Sequence, residues 1–180
     1  MPPKPSLRRL SRQEPTNEEL TETLQSIVDL PDRMAAIIMA SLVESDLEKL
    51  IIMNLPIKDK DMVAALTERD GALSTFFAKI DLSYALALVS SASRNNLHCI
   101  RRIRNAFAHA PRPIAFTTEE VSQECSKLRS IKTGRTLSTK RPERIKFILV
   151  CSELSIFINE ELIADEEAAE AARASEAEPC

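Results

Sequence analysis

The residues of this chain best equipped for chemistry fall within the run Leu97-His98-Cys99-Ile100-Arg101-Arg102-Ile103-Arg104-Asn105-Ala106-Phe107-Ala108-His109. Arg101, Arg102 and Arg104 bring guanidinium groups, which hold carboxylate or phosphate oxygens through several donors at once. His109 brings an imidazole that titrates near neutral pH and can therefore give or take a proton. Asn105 adds an amide that both donates and accepts. No acidic residue stands between Arg94 and Arg112, so positive charge is concentrated here in a chain whose net charge is −3.

The same run says what must position these groups. Leu97, Ile100, Ile103 and Phe107 recur at helical spacing, which predicts a helix with one apolar side packed inward and the arginines around it. Pro111 and Pro113 stop that helix soon after His109. On an ideal helix Arg104 and His109 lie about 140° apart and share no face, whereas Asn105 and His109 are one turn apart and Arg102 joins them. A site made of Arg104 and His109 therefore requires the helix to end by Ala108, or a second subunit to complete it. The plainer alternative is that Asn105 and His109 cap the helix end, where a histidine meets the dipole favourably.

Other helices are expected to frame this one. Thr16 to Glu19 supplies an N-cap with acids in the first turn, and Leu20, Leu24, Ile27 and Val28 carry a helix to about Leu30. Asp32 to Met53 reads as the longest and central helix, apolar on more than one side, with Ala35, Ala36, Ala40 and Ser41 allowing close neighbours. Asp32 and Arg33 decorate its start. Its Glu44 and Glu48 form either a solvated edge or carboxylate partners that orient Arg101 or Arg104. Met62 to Leu66 gives a short helical piece. Ser74 is the expected cap of a helix whose inner positions are Phe77, Ile80, Tyr84 and Leu88, with Tyr84 and the phenylalanines as core residues. Ser90 to Ser93 reads as a linker and His98 as an ordinary residue without a partner.

Past the prolines, Thr117 and Glu120 have the spacing of a capping box, and Val121, Cys125 and Leu128 the spacing of a buried stripe. Ser130 to Arg141 is polar and basic and reads as a mobile loop. Pro142 starts a last helix with Ile145, Leu149, Ser152 and Ile156 along one side and Phe147, Val150, Leu154 and Phe157 beside it. Phe147 to Cys151 could pass for a short buried strand, but the lack of any partner strand favours helix.

Composition bounds the class. Long runs of Ala, Leu, Ile, Glu, Lys and Arg with only two glycines point to an all-α, single-domain antiparallel helical bundle with flexible termini. Residues 1–15 form a basic, proline-containing arm, 16–163 the helical domain, and 164–180 an acidic Ala/Glu tail. The apolar run from Met34 to Leu55 is too interrupted by charge to span a bilayer, and no secretory leader is recognisable, so the expected setting is cytoplasmic and away from membranes. Cys99, Cys125, Cys151 and Cys180 have no metal-ligand spacing; the first three read as small core residues. No metal and no cofactor is expected.

Three blocks in order resemble the mannitol operon repressor family. They are Asp32-Arg33 with Glu44 and Leu47-Glu48, then Ser74 to Leu86, then Ile100 to His109, and the resemblance covers about residues 27–130. It implies an all-helical domain without a recognisable helix-turn-helix, acting as a transcriptional regulator of sugar-alcohol uptake genes. The hexapeptide Arg104-Asn105-Ala106-Phe107-Ala108-His109 also resembles the Arg-polar-x-x-x-His pattern of HEPN domains. That resemblance implies a helical bundle in which Arg104 and His109 of two subunits converge and cut RNA without metal, the imidazole exchanging a proton with the ribose 2′-hydroxyl and the guanidinium holding phosphate as charge builds.

The reading favoured by the sequence is a non-enzymatic regulator that works through a protein partner, with Arg101, Arg102, Arg104, Glu44 and Glu48 as its interaction or phosphate-binding residues and homodimerisation possible. The alternatives are a ribonuclease or nucleotide-binding protein built on Arg104, His109 and Asn105, and direct, salt-dependent DNA binding through the basic arm and the arginine helix.

Overall fold

The computed structural model describes residues 16–176, with Val28, Ile57, Lys58 and Arg69 excepted, and leaves aside the side chains of Asn17, Leu20, Leu24 and residues 165–176. The basic arm expected over residues 1–15 and the last four residues of the acidic tail lie outside the described residues. Helices account for the regular structure of the described residues, and their β content is one isolated bridge between Arg129 and Thr136. The fold is all-α.

The chain divides into two compact units, Met1–Pro31 and Asp32–Cys180. In the first, helix α1 (Asn17–Ser26) opens with a reciprocal capping box. Thr16 Oγ1 accepts from the Glu19 amide at 3.2 Å, while Glu19 Oε2 accepts from the Thr16 amide at 2.8 Å. The helix stops at Ser26, short of the expected Leu30, and the amide of Asp29 turns back onto the Ser26 carbonyl at 3.0 Å.

The second unit comprises α2 (Asp32–Met53), α3 (Lys60–Thr67), α4 (Phe76–Ala85), α5 (Ser91–His109), α6 (Glu119–Cys125) and α7 (Glu143–Glu176). Helix α2 is central and packs against α4, α5 and α7. Its Ala35, Ala36 and Ala40 are buried, so neighbouring helices approach its backbone closely, while Met39, Val43, Leu47, Leu50 and Ile51 fill the space between them.

Two stripes differ from the sequence expectation in rotation. On α4 the inward residues are Phe76, Lys79, Ile80 and Ser83; Phe77 is 51% and Tyr84 44% exposed, so neither belongs to the core. On α7 the inward residues are Phe147, Val150, Cys151, Leu154, Ile158 and Leu162, whereas Ile145 and Ile156 face out. Both helices carry apolar residues on more than one side, so periodicity leaves the rotation open and packing against α2 sets it. Phe147 to Cys151 is helical.

Caps shift as well. Thr75, one residue past Ser74, caps α4 by accepting from the Ala78 amide at 3.1 Å. The serines expected as a linker instead open α5, with Ser90 Oγ accepting from the Ser93 amide at 3.1 Å. Thr117 and Glu120 make no capping box; the cap position is Thr118, and its hydroxyl accepts from the Ala115 amide at 3.0 Å. The loop after α6 is tied down where it begins. Glu153 accepts from the Ile131 amide at 2.7 Å, and Asn96 accepts from the Arg129 amide at 3.0 Å and donates to its carbonyl at 2.8 Å.

The turn between α4 and α5 fixes how these two helices meet. The amide of Leu88 returns to the Ser83 carbonyl at 2.9 Å and that of Ala87 to the Tyr84 carbonyl at 3.0 Å, the paired closure of a Schellman motif. Such a motif needs a left-handed residue, and here it is Ala87 at φ 58 rather than glycine. A Cβ in that region costs about 1–2 kcal/mol. Ala87→Gly is therefore expected to stabilise the fold by about 0.5–1 kcal/mol after glycine's extra chain entropy is deducted, measurable by urea denaturation.

Candidate functional site

Helix α5 is anchored as its pattern predicts. Leu97, Ile100, Ile103 and Phe107 are all fully buried. The far end is pinned by rings in series, Phe107 to Phe116 at 4.9 Å and Phe116 to Phe147 at 5.3 Å, each tilted as aromatic pairs prefer. The proline segment beyond is held from the start of α2. Arg33 donates to the carbonyls of Ala110 and Arg112 at 2.9 and 3.3 Å, and Asp32 accepts from the Phe116 amide at 2.9 Å and from Arg144 at 2.7 Å. Asp32 and Arg33 thus do more than decorate a helix start: they fasten the exit of the arginine helix.

With the rotation of α5 fixed, each polar residue has a set destination. Arg94 donates to Asp81 Oδ1 at 2.6 Å. Arg102 donates to Glu124 Oε1 at 2.6 Å and to Cys99 Sγ at 3.3 Å. Burial alone would raise the Glu124 carboxyl, but hydrogen bonds from Lys127 and Arg102 outweigh it and hold it below the usual carboxylate value. Arg104 lies 3.8 Å from Glu44 Oε2 and donates to Asn105 Oδ1 at 3.2 Å. Arg101 differs from these three. Its guanidinium lies over the Phe77 ring at 5.2 Å, and its Nε is buried with no hydrogen-bond partner.

Glu44 and Glu48 meet a residue that sequence reasoning misses. Lys79, 6% exposed, bridges them at 2.9 and 2.7 Å, closer than Glu44 comes to Arg104. Its only signal is a lysine three residues after Phe76 on the inward side of α4, legible once that rotation is known. Removing one partner of such a cluster leaves buried charge unbalanced. Lys79→Ala is expected to cost about 3 kcal/mol at neutral pH, read from urea denaturation curves.

His98 also has partners. Its Nε2 lies 3.4 Å from Asp81 Oδ1 and its ring 5.5 Å from that of Phe77. Burial lowers the imidazole below its ordinary 6.5, and Arg94, Arg101 and Arg102 push the same way against Asp81. The unfolded chain then binds the proton more readily than the folded one. Stability is fully present above about pH 6.5 and is lost as pH falls through that value toward the folded pKa. His98→Gln should show a shallower loss of stability as pH falls below about 6.5 than the parent, and an equal slope would remove His98 as the cause.

His109 is exposed and is the last residue of α5, with Ala110 as the C-cap. The helix does not end by Ala108, so within one chain Arg104 and His109 stay on different faces. Cys99, Cys125 and Cys151 are buried free thiols. Burial, aided by Glu124 at Cys99, pushes Cys99 up to about 11, and burial aided by Glu143 pushes Cys125 up to about 12, so both are unreactive at neutral pH. Among the described residues no group of three or more His, Cys, Asp or Glu could hold a metal, and no helix is long and apolar enough to cross a membrane. A cleft of about 550 Å³ opens beside Leu50, Tyr84, Val89 and Phe157, and neither the arginines nor His109 line it.

No protein-family model, curated protein or solved structure matches the chain.

What the arrangement offers is a surface. Phe77 and Tyr84 stand out from α4, and a guanidinium from α5 lies on each, Arg101 at 5.2 Å and Arg94 at 5.0 Å. Tyrosine, phenylalanine and arginine are the side chains enriched where proteins bind one another, because each buries a large area with little loss of rotamer freedom or with fixed donor geometry.

Proposed function

We propose that this chain is a transcriptional regulator of the mannitol operon repressor type that acts by docking a protein partner on the α4–α5 face, in the cytoplasm and without catalysing a reaction. The observation that carries the reading is the pair of exposed aromatic rings, Phe77 and Tyr84, each covered by an arginine of α5. Direct nucleic-acid binding is less well served. Arg94, Arg102 and Arg104 each face a carboxylate, and a phosphate gained at any of these three would have to displace that internal partner.

The test is transcription in the cell. A Phe77→Ala, Tyr84→Ala double variant removes two half-exposed rings and should leave the fold intact by circular dichroism, while transcripts of a sugar-alcohol uptake operon under its control rise several-fold. Unchanged transcript levels in a folded variant would mean that this face is not the working surface.

One observation favours a second reading. His109 is exposed one turn beyond Asn105, whose amide is engaged by Arg104 at 3.2 Å, and a two-fold dimer could bring the Arg104 of one copy to the His109 of the other. Under that reading purified protein cleaves single-stranded RNA to products ending in a cyclic phosphate, and His109→Ala abolishes cleavage. RNA left intact across a range of protein concentrations would eliminate it.

A further inference from the structure

Arg101 is the exception among the arginines of its helix. Arg94, Arg102 and Arg104 each have a carboxylate within 2.6 to 3.8 Å. Arg101 makes no ion pair or hydrogen bond among the described residues, and its Nε is the buried side-chain nitrogen left without an acceptor. A guanidinium stripped of water at Nε and resting on a ring has already met part of the desolvation cost of binding an anion. The ring beneath it, Phe77, remains 51% exposed and provides apolar area beside the cation.

We propose that Arg101 receives a single aspartate or glutamate side chain of the protein partner, with an apolar residue next to that acid packing on Phe77. This assigns ligand chemistry to the face on which the regulator reading rests. The surroundings fix the number of charges. Asp81 lies on the same helix as Phe77 and already balances Arg94, and Glu44 and Glu48 already balance Lys79 with Arg104 nearby, so one positive charge stands uncompensated. One unbalanced cation flanked by carboxylates suits one anionic group. An extended polyphosphate strand would find no second free guanidinium here, since Arg94, Arg102 and Arg104 each face a carboxylate. Because Nε is walled in by protein, an incoming planar carboxylate would meet the two terminal nitrogens of Arg101 end-on, and Phe77 selects an apolar neighbour for it.

The probe is the peptide acetyl-Leu-Asp-Phe-amide, titrated into the full chain while the arginine Nε–H signals are followed by nuclear magnetic resonance. The Arg101 signal, assigned by its loss in Arg101→Lys, should move the most. Replacing Asp by Asn in the peptide, or Arg101 by Gln in the protein, should weaken binding about tenfold or more, the range of a charge-assisted pair. Arg101→Lys should weaken it less than Arg101→Gln, because the charge stays while the fork is lost, and Phe77→Ala should weaken the peptide that has Phe and Leu more than one that has Gly in their place. Equal binding of the Asn peptide, or largest shifts at arginines other than Arg101, would overturn the proposal. So would tighter binding of a single-stranded oligonucleotide that displaces the peptide from Arg101 at the same salt concentration. Failure of the functional reading is separable from failure here. Peptide binding at Arg101 with no transcriptional effect of the Phe77, Tyr84 variant would sink only the regulator, and a transcriptional effect with no peptide binding would sink only the acidic ligand.

Discussion

The burial of one side of helix α5 is the constraint on which the rest of the surface depends. Leu97, Ile100, Ile103 and Phe107 lose nearly all their solvent exposure, and at roughly 1.5–3 kcal/mol per buried side chain they outweigh any single ion pair on the exposed side. A rotation of the helix that improved one arginine's pairing would withdraw several of these side chains from the core. The apolar stripe therefore chooses the angle, and the charges take the partners that the angle allows. Arg102 meets Glu124 of α6, Arg104 meets Glu44 of α2, Arg94 meets Asp81 of α4, and Arg101 meets a ring.

The same hierarchy explains Lys79. A lysine on the inward side of α4 would ordinarily be expelled, because a desolvated ammonium costs several kcal/mol. It is retained where two carboxylates of α2, one turn apart, reach it at 2.9 and 2.7 Å. Those carboxylates keep some exposure, which limits their own desolvation. The cluster joins α2 to α4 by direction-sensitive contacts that an apolar patch would lack. Glu44 also lies 3.8 Å from Arg104 of α5, farther than its 2.9 Å contact with Lys79.

How much of this is legible in the sequence depends on which interactions are local. The fold class, the stop of α5 before the prolines and its four buried anchors are readable because helical spacing is a property of neighbouring residues, whereas its start at Ser91 is not. The rotation of α4 and α7 is not, since each has apolar residues on more than one side and only α2 decides between them. Spacing alone for that reason puts Phe77 and Tyr84 in the core and gives Lys79 no role. Asp32 and Arg33 are visible as a charged helix start, but their partners lie 77 to 112 residues further along the chain, beyond any spacing argument. His98 and Asp81 stand on different helices and meet where α4 and α5 pack together.

The Schellman turn between α4 and α5 also sets the rigidity of the surface. Because α4 and α5 are joined by a short closure with Ala87 in the left-handed region, the two helices cannot slide past each other without breaking the paired hydrogen bonds to Ser83 and Tyr84. The two backbones that carry the rings and the guanidiniums are thus held in register. Under the docking proposal, selectivity would come from that geometry: a ring carried by one helix and a cation held beside it by the other.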